Sequence, residues 1–131
     1  MKTLLYFIAD YCMDLLYVHN FKFVDSIAAD TRSDGQIKLS NGKINIYFCQ
    51  DRGIDTLEVR RTASRNVYSL DILYEYLTST KPKDGNLDVE AGEFIRHSIS
   101  EILDMFSDDN YAEAEKKLDA LVEIRMKRMW G

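Results

Sequence analysis

The stretch Gln36-Ile37-Lys38-Leu39-Ser40-Asn41-Gly42-Lys43-Ile44-Asn45-Ile46-Tyr47-Phe48-Cys49-Gln50-Asp51-Arg52-Gly53 decides the fold class. Ile37 and Leu39 alternate with Gln36 and Lys38, and Ile44, Ile46 and Phe48 alternate with Asn45, Tyr47 and Cys49. Successive side chains of a strand point to opposite faces, so each run turns one face to a core. Asn41-Gly42 between the runs is a two-residue hairpin signal, because both turn residues of such a hairpin take positive φ. Asp51-Arg52-Gly53 turns the chain again, and Leu57 and Val59 then alternate with Glu58 and Arg60. Upstream, Phe21, Phe23 and Ile27 continue the alternation around Lys22 and Ser26. Asp25 interrupts that face, which predicts a bulge or fraying there, and Asp34-Gly35 supplies a turn. The sum is a four-stranded antiparallel meander with one apolar face.

Both flanks read as helices. Leu4, Leu5, Ile8, Tyr11, Cys12, Leu15 and Leu16 recur at helical spacing over residues 2–18. Ser69 is an N-cap for the segment from Leu70 to Leu77. Thr78 to Asn86 holds the only proline, Pro82, together with Gly85, and reads as a loop. Residues 88–106 set Ile95, Ile99, Ile102, Leu103 and Phe106 on one face. Asn110 with Glu113 resembles a capping box that opens a last helix, with Tyr111, Ala114, Leu118, Leu121 and Val122 toward the core. Arg125, Lys127 and Arg128 suit its C-terminal dipole. The expected fold is α+β: an N-terminal helix, the meander, then three helices packed on the sheet.

At 131 residues the chain predicts a single α+β domain over 1–131. With 46% hydrophobic and 30% charged residues it has the composition of a folded globule. The apolar run after Met1-Lys2-Thr3 stops at Asp10, too short for a secretory signal, and no run approaches the ~20 residues that span a bilayer. The expected compartment is the cytoplasm, with Cys12 and Cys49 reduced and buried.

Catalytic chemistry has no signature. The chain lacks GxGxxG, Walker A, GxSxG, HExxH and CxxC patterns. Cys12, His19, Cys49 and His97 sit on different elements without ligand spacing, so no metal and no cofactor is expected. His19 reads as a partner of the first helix's C-terminus and His97 as a half-exposed helix residue. A nucleophilic pair such as Cys49 with His97 has no orienting third group. The chain is therefore not expected to be an enzyme.

Charge is unevenly spread. The formal net charge is −5, yet residues 84–123 carry 12 acids against Arg96, Lys116 and Lys117. Glu113 has Lys116 and Lys117 within a helical turn, and Glu123 has Lys127. Glu101, Asp104 and Asp108 follow one another at i+3 and i+4 beside Asp109, and Glu115 and Asp119 are a like-charge i,i+4 pair. Each such pair costs roughly 0.2–0.5 kcal/mol, which is explicable by a solvated face or by a face that steers in a basic partner. The partner-binding candidates are Glu101, Asp104, Asp108, Asp109, Glu115 and Asp119, with Tyr111 as an aromatic anchor that also fits the core stripe. A second candidate face is the outward side of the meander around Lys38, Tyr47 and Arg60. Arg60, Arg61 and Arg65 near Arg52 make a weak RNA site on a chain that repels phosphate, so no direct nucleic-acid binding is expected.

The segments Tyr17-Val18-His19-Asn20-Phe21-Lys22-Phe23-Val24, Lys43-Ile44-Asn45-Ile46-Tyr47-Phe48 with Asp51-Arg52, and Tyr68-Ser69-Leu70 occur in an order that resembles bacterial immunity proteins of contact-dependent growth inhibition and related polymorphic-toxin systems. The resemblance covers about residues 1–80, with Asn20 where those proteins tend to have glycine and Phe48-Cys49-Gln50 inserted before Asp51. It implies a cytosolic, non-enzymatic protein that binds and neutralises one cognate basic toxin domain, a nuclease in many such systems. The alternative is a generic interaction or regulatory adaptor domain without catalytic activity.

Overall fold

The computed structural model describes residues 2–28, 35–81 and 84–130. Asp34 of the expected turn and Pro82 of the expected loop lie outside the described residues. The chain forms α1 (Lys2–Tyr11), α2 (Met13–Tyr17), β1 (Lys22–Ala28), β2 (Gly35–Ser40), β3 (Ile44–Asp51), β4 (Ile54–Arg61), β5 (Val67–Ser69), α3 (Leu70–Thr78), α4 (Val89–Met105) and α5 (Tyr111–Trp130). The strands make one antiparallel sheet in sequence order. The α+β architecture is as the sequence predicts, with one strand more. Val67-Tyr68-Ser69 pairs with Arg60, Val59 and Glu58, and is too short to show alternation.

Ile37, Leu39, Ile46, Phe48, Leu57, Val59 and Tyr68 bury the same face of the sheet against Leu4, Ile8, Leu15, Leu73, Ile95, Ile102 and Leu118 of the helices. The single N-terminal helix expected over 2–18 is two: at Cys12 the backbone leaves helical geometry with φ −120° and ψ 12°. This bend lets both Leu4 and Leu15 reach the core. The register between β1 and β2 shifts between Phe23 and Asp25, at the interruption predicted.

Both hairpins are present, with their turn chemistry exchanged. Ser40 pairs with Asn45, so the tip is Gly42-Lys43, one residue later than expected. Gly42 alone takes positive φ there, at 93°. Asn41 instead folds its side-chain oxygen over the tip, accepting from the amides of Lys43 at 3.0 Å and Ile44 at 2.8 Å. The pair with two positive φ values is Arg52-Gly53, at 53° and 80°, between Asp51 and Ile54. Asn20 also lies in the left-handed region, at φ 62°, which asparagine enters more readily than most residues.

Ser69 has the extended backbone of an N-cap but no capping bond; its hydroxyl donates to Asp71. Asp88 caps α4, accepting from the Ala91 amide at 2.8 Å. The capping box expected at Asn110 is replaced by a bond from its side-chain amide to the Asp104 carbonyl, 3.1 Å. Helices α1 and α4 meet at Gly92, where a β-carbon would stand 2.4 Å from the Tyr11 ring. Arg96, one turn later, stacks over that ring and donates to the Asp10 carbonyl at 2.7 Å.

Candidate functional site

The acidic helices sort into two sets. Glu90, Glu93, His97, Glu101 and Asp104 succeed one another at steps of three and four residues, so they form one ridge along α4. This helix has 17 residues and is about 25 Å long. Glu90, His97, Glu101 and Asp104 are exposed. Glu93 holds Arg96 at 3.3 Å and His97 at 3.7 Å. Glu101, Asp104 and the exposed Asp109 just beyond make no ion pair among the described residues.

The other acids of the expected rim have work inside the molecule. Asp108 bridges Lys43 at 2.8 Å and Arg61 at 2.9 Å, tying the turn after α4 to the sheet. Its carboxyl is held below the ordinary value by the Lys43 bond first and then by Arg61. Glu115 accepts from Tyr111 at 2.8 Å and from Asn66 at 3.2 Å. Asp119 accepts from the buried Tyr68 hydroxyl at 2.6 Å, and burial with this bond raises the tyrosine's pKa. The like-charge spacing of Glu115 and Asp119 therefore serves donors inside the molecule: Tyr111 of α5 and Asn66 of the loop before β5 for Glu115, and Tyr68 of the sheet for Asp119. Tyr111 is half-buried against Phe106, under the Arg61 guanidinium, so its ring belongs to the seam between α5 and the sheet.

On the other face of the sheet, Lys38 and Arg60 flank the Tyr47 ring, each 5.8 Å from its centroid. The buried Asn45 donates to the Tyr47 hydroxyl at 3.4 Å. The second candidate face is thus assembled as one stack on the sheet. The arginines do not converge. Arg61 turns to the helix side, donating to the Phe106 carbonyl at 2.7 Å, while Arg60 faces outward and Arg52 sits at the far end of the β3–β4 hairpin.

No protein-family model, curated protein or solved structure matches this chain. Cys12 is buried among the helices and burial pushes its thiol up to about 12. Cys49 is only half-buried, a correction to the expectation, because it lies on the outward face beside Gln36. Burial foremost raises its pKa too, so neither cysteine is an activated thiolate. The sheet separates Cys49 from His97, which is more exposed on α4 than expected. Among the described residues no three His, Cys, Asp or Glu side chains are grouped to hold a metal ion. No helix among them is long and apolar enough to cross a membrane.

Two features had no signal in the sequence. Arg125, placed by spacing at a helix end, reaches across to α3, donating to the Asp71 carboxylate and to Glu75 at 3.2 Å. A cavity of about 380 Å³ lies between α3 and the start of α4, walled by Tyr74 and Phe94.

Proposed function

We propose that this chain is a non-catalytic inhibitor of the immunity type, which binds a basic toxin domain, most simply a nuclease, by direct protein contact. The observation that carries the reading is the acidic ridge of α4 with Asp109: exposed carboxylates of which Glu90, Glu101, Asp104 and Asp109 make no ion pair among the described residues, and which a cationic surface would pair. The ridge from Glu90 to Asp104 runs about 21 Å, which fits within the roughly 800 Å² that each partner of a standard interface buries. The resemblance over residues 1–80 adds to it, and so does Asn20, left-handed where the immunity proteins tend to have glycine. The reading puts the protein's action in the cytoplasm.

The test is to purify the chain together with the protein encoded by the neighbouring reading frame, which the reading expects to carry a toxin domain. The expected result is a one-to-one complex by size exclusion with light scattering, and loss of that domain's growth inhibition. A toxin domain that elutes alone and stays active in the presence of this chain would refute the reading. The adaptor reading is favoured by one observation, the Lys38–Tyr47–Arg60 stack, which gives the molecule a second surface of opposite charge.

A further inference from the structure

The cavity between α3 and α4 combines two kinds of wall. Tyr74 and Phe94 meet edge to face, with centroids 4.8 Å apart, and Leu70 and Ala91 extend the apolar side. Asp84, Asp88 and Glu90 border the same space, against Lys81 as the one cation among its described lining residues. Asp71 also borders it but is paired with Arg125. Asp84 and Asp88 each accept one backbone amide, from Asn86 at 3.0 Å and Ala91 at 2.8 Å, and these three acids make no ion pair among the described residues. The start of α4 brings a partial positive charge of about half a unit, which leaves carboxylates in excess among the described lining residues. At about 380 Å³ the space falls in the range of roughly 300–1,000 Å³ that binding clefts occupy.

We propose that this cavity receives one arginine side chain of the basic partner. Aromatic walls favour a flat, weakly hydrated cation over an ammonium group, and the carboxylates at the rim accept its fixed fork of N–H donors. A neutral side chain would leave the rim charges uncompensated. An anion would meet three carboxylates. The cavity lies at the N-terminal end of the acidic ridge, so the arginine would anchor one end of the interface whose far end is Glu101, Asp104 and Asp109. This rests on the proposed function for its occupant, while the cavity's preference for a guanidinium is testable without any partner.

The probe is N-acetyl-arginine methylamide, titrated into the isolated protein while side-chain NMR signals of Tyr74 and Phe94 are followed. N-acetyl-citrulline methylamide, of nearly the same shape and without charge, is the comparison. Saturable shifts with a dissociation constant on the order of 1–10 mM are expected for arginine, and at least about tenfold weaker binding for citrulline. Asp84→Asn with Glu90→Gln should weaken arginine binding about threefold to tenfold while leaving the melting temperature in place. Absence of saturable shifts, or equal binding of citrulline, overturns the proposal. If the toxin domain binds the double variant as tightly as wild type, the cavity is not the anchor and the inhibitor reading survives. If the toxin domain binds neither protein while arginine still saturates the cavity, the inhibitor reading falls instead.

Discussion

Replacing Gly92 by valine is expected to destabilise the protein by about 2–3 kcal/mol, although glycine is a poor residue inside a helix. At an open helix position, loss of glycine gains roughly 0.5–1 kcal/mol. Here the sign reverses because the Tyr11 ring fills the space of the missing side chain, 2.4 Å from where the β-carbon would stand. Tyr11 cannot swing away freely, since the Phe7 ring packs against it at a tilt, with centroids 5.1 Å apart, and Arg96 covers the ring. Thermal unfolding of the variant should show a melting temperature lower by roughly 5–10 °C. In a Tyr11→Ala background the same substitution should cost much less, so the interaction term of a double-mutant cycle carries the claim. Equal losses in the two backgrounds would show that the close approach of α1 and α4 is not the cause.

Arg125→Met should cost about 2–4 kcal/mol at neutral pH, because it strands two carboxylates. The side chain of Glu75 is 10% exposed and that of Asp71 27%, and Arg125 ties both to α5. Burial works to raise the pKa of Asp71, but the Ser69 hydroxyl and the Arg125 guanidinium outweigh it and hold it below 3.8. A carboxyl depressed on folding contributes stability that is present above its unfolded pKa and is lost as pH falls through its folded one. Wild type should therefore lose this contribution below about pH 4. In Arg125→Met the remaining burial raises Asp71, so acidification relieves the variant, and the two stability curves converge toward pH 3. Asp71→Asn and Glu75→Gln added to Arg125→Met should restore part of the loss at pH 7. Urea unfolding across that range measures all three, and a pH-independent gap would contradict the assignment.

The strands were legible because alternation is strict from Gln36 to Leu39, from Ile44 to Phe48 and from Leu57 to Val59, and a slip of one residue would turn every apolar side chain outward. The turns were legible as positions but not as chemistry. Asn41-Gly42 carries the sequence of one turn type, yet Asn41 serves better as the acceptor for two amides, and Arg52 accepts the left-handed backbone instead. Strand β5 was hidden because three residues show no period, and the break at Cys12 because Leu15 and Leu16 keep helical spacing across it. The acidic site was half legible. Spacing along one helix shows that carboxylates repel, but not that Tyr68 waits opposite Asp119 or Lys43 opposite Asp108, since those donors are separated by 51 and 65 positions in the chain. The cavity of Tyr74 and Phe94 was hidden for the same reason: neither residue stands out until the fold sets the two rings edge to face.

The acids that hold the fold and those that stand free of ion pairs among the described residues are different residues, so the binding face can be altered without damage to the fold. Asp108 and Asp119 hold the turn after α4 and helix α5 to the sheet, so charge reversal there would confuse folding with binding. Glu101, Asp104 and Asp109 make no ion pair among the described residues, and lysine at all three should leave the melting temperature nearly unchanged. The most direct measurement is the association rate of the neighbouring-frame toxin domain with wild type and with this triple variant, by surface plasmon resonance at roughly 0.05 M and 0.5 M salt. The account predicts that wild type associates about tenfold faster at low salt, and that the variant is at least about tenfold slower there with little salt dependence. Equal rates for both proteins at both salts would contradict it, and would leave the α4 ridge a solvated surface.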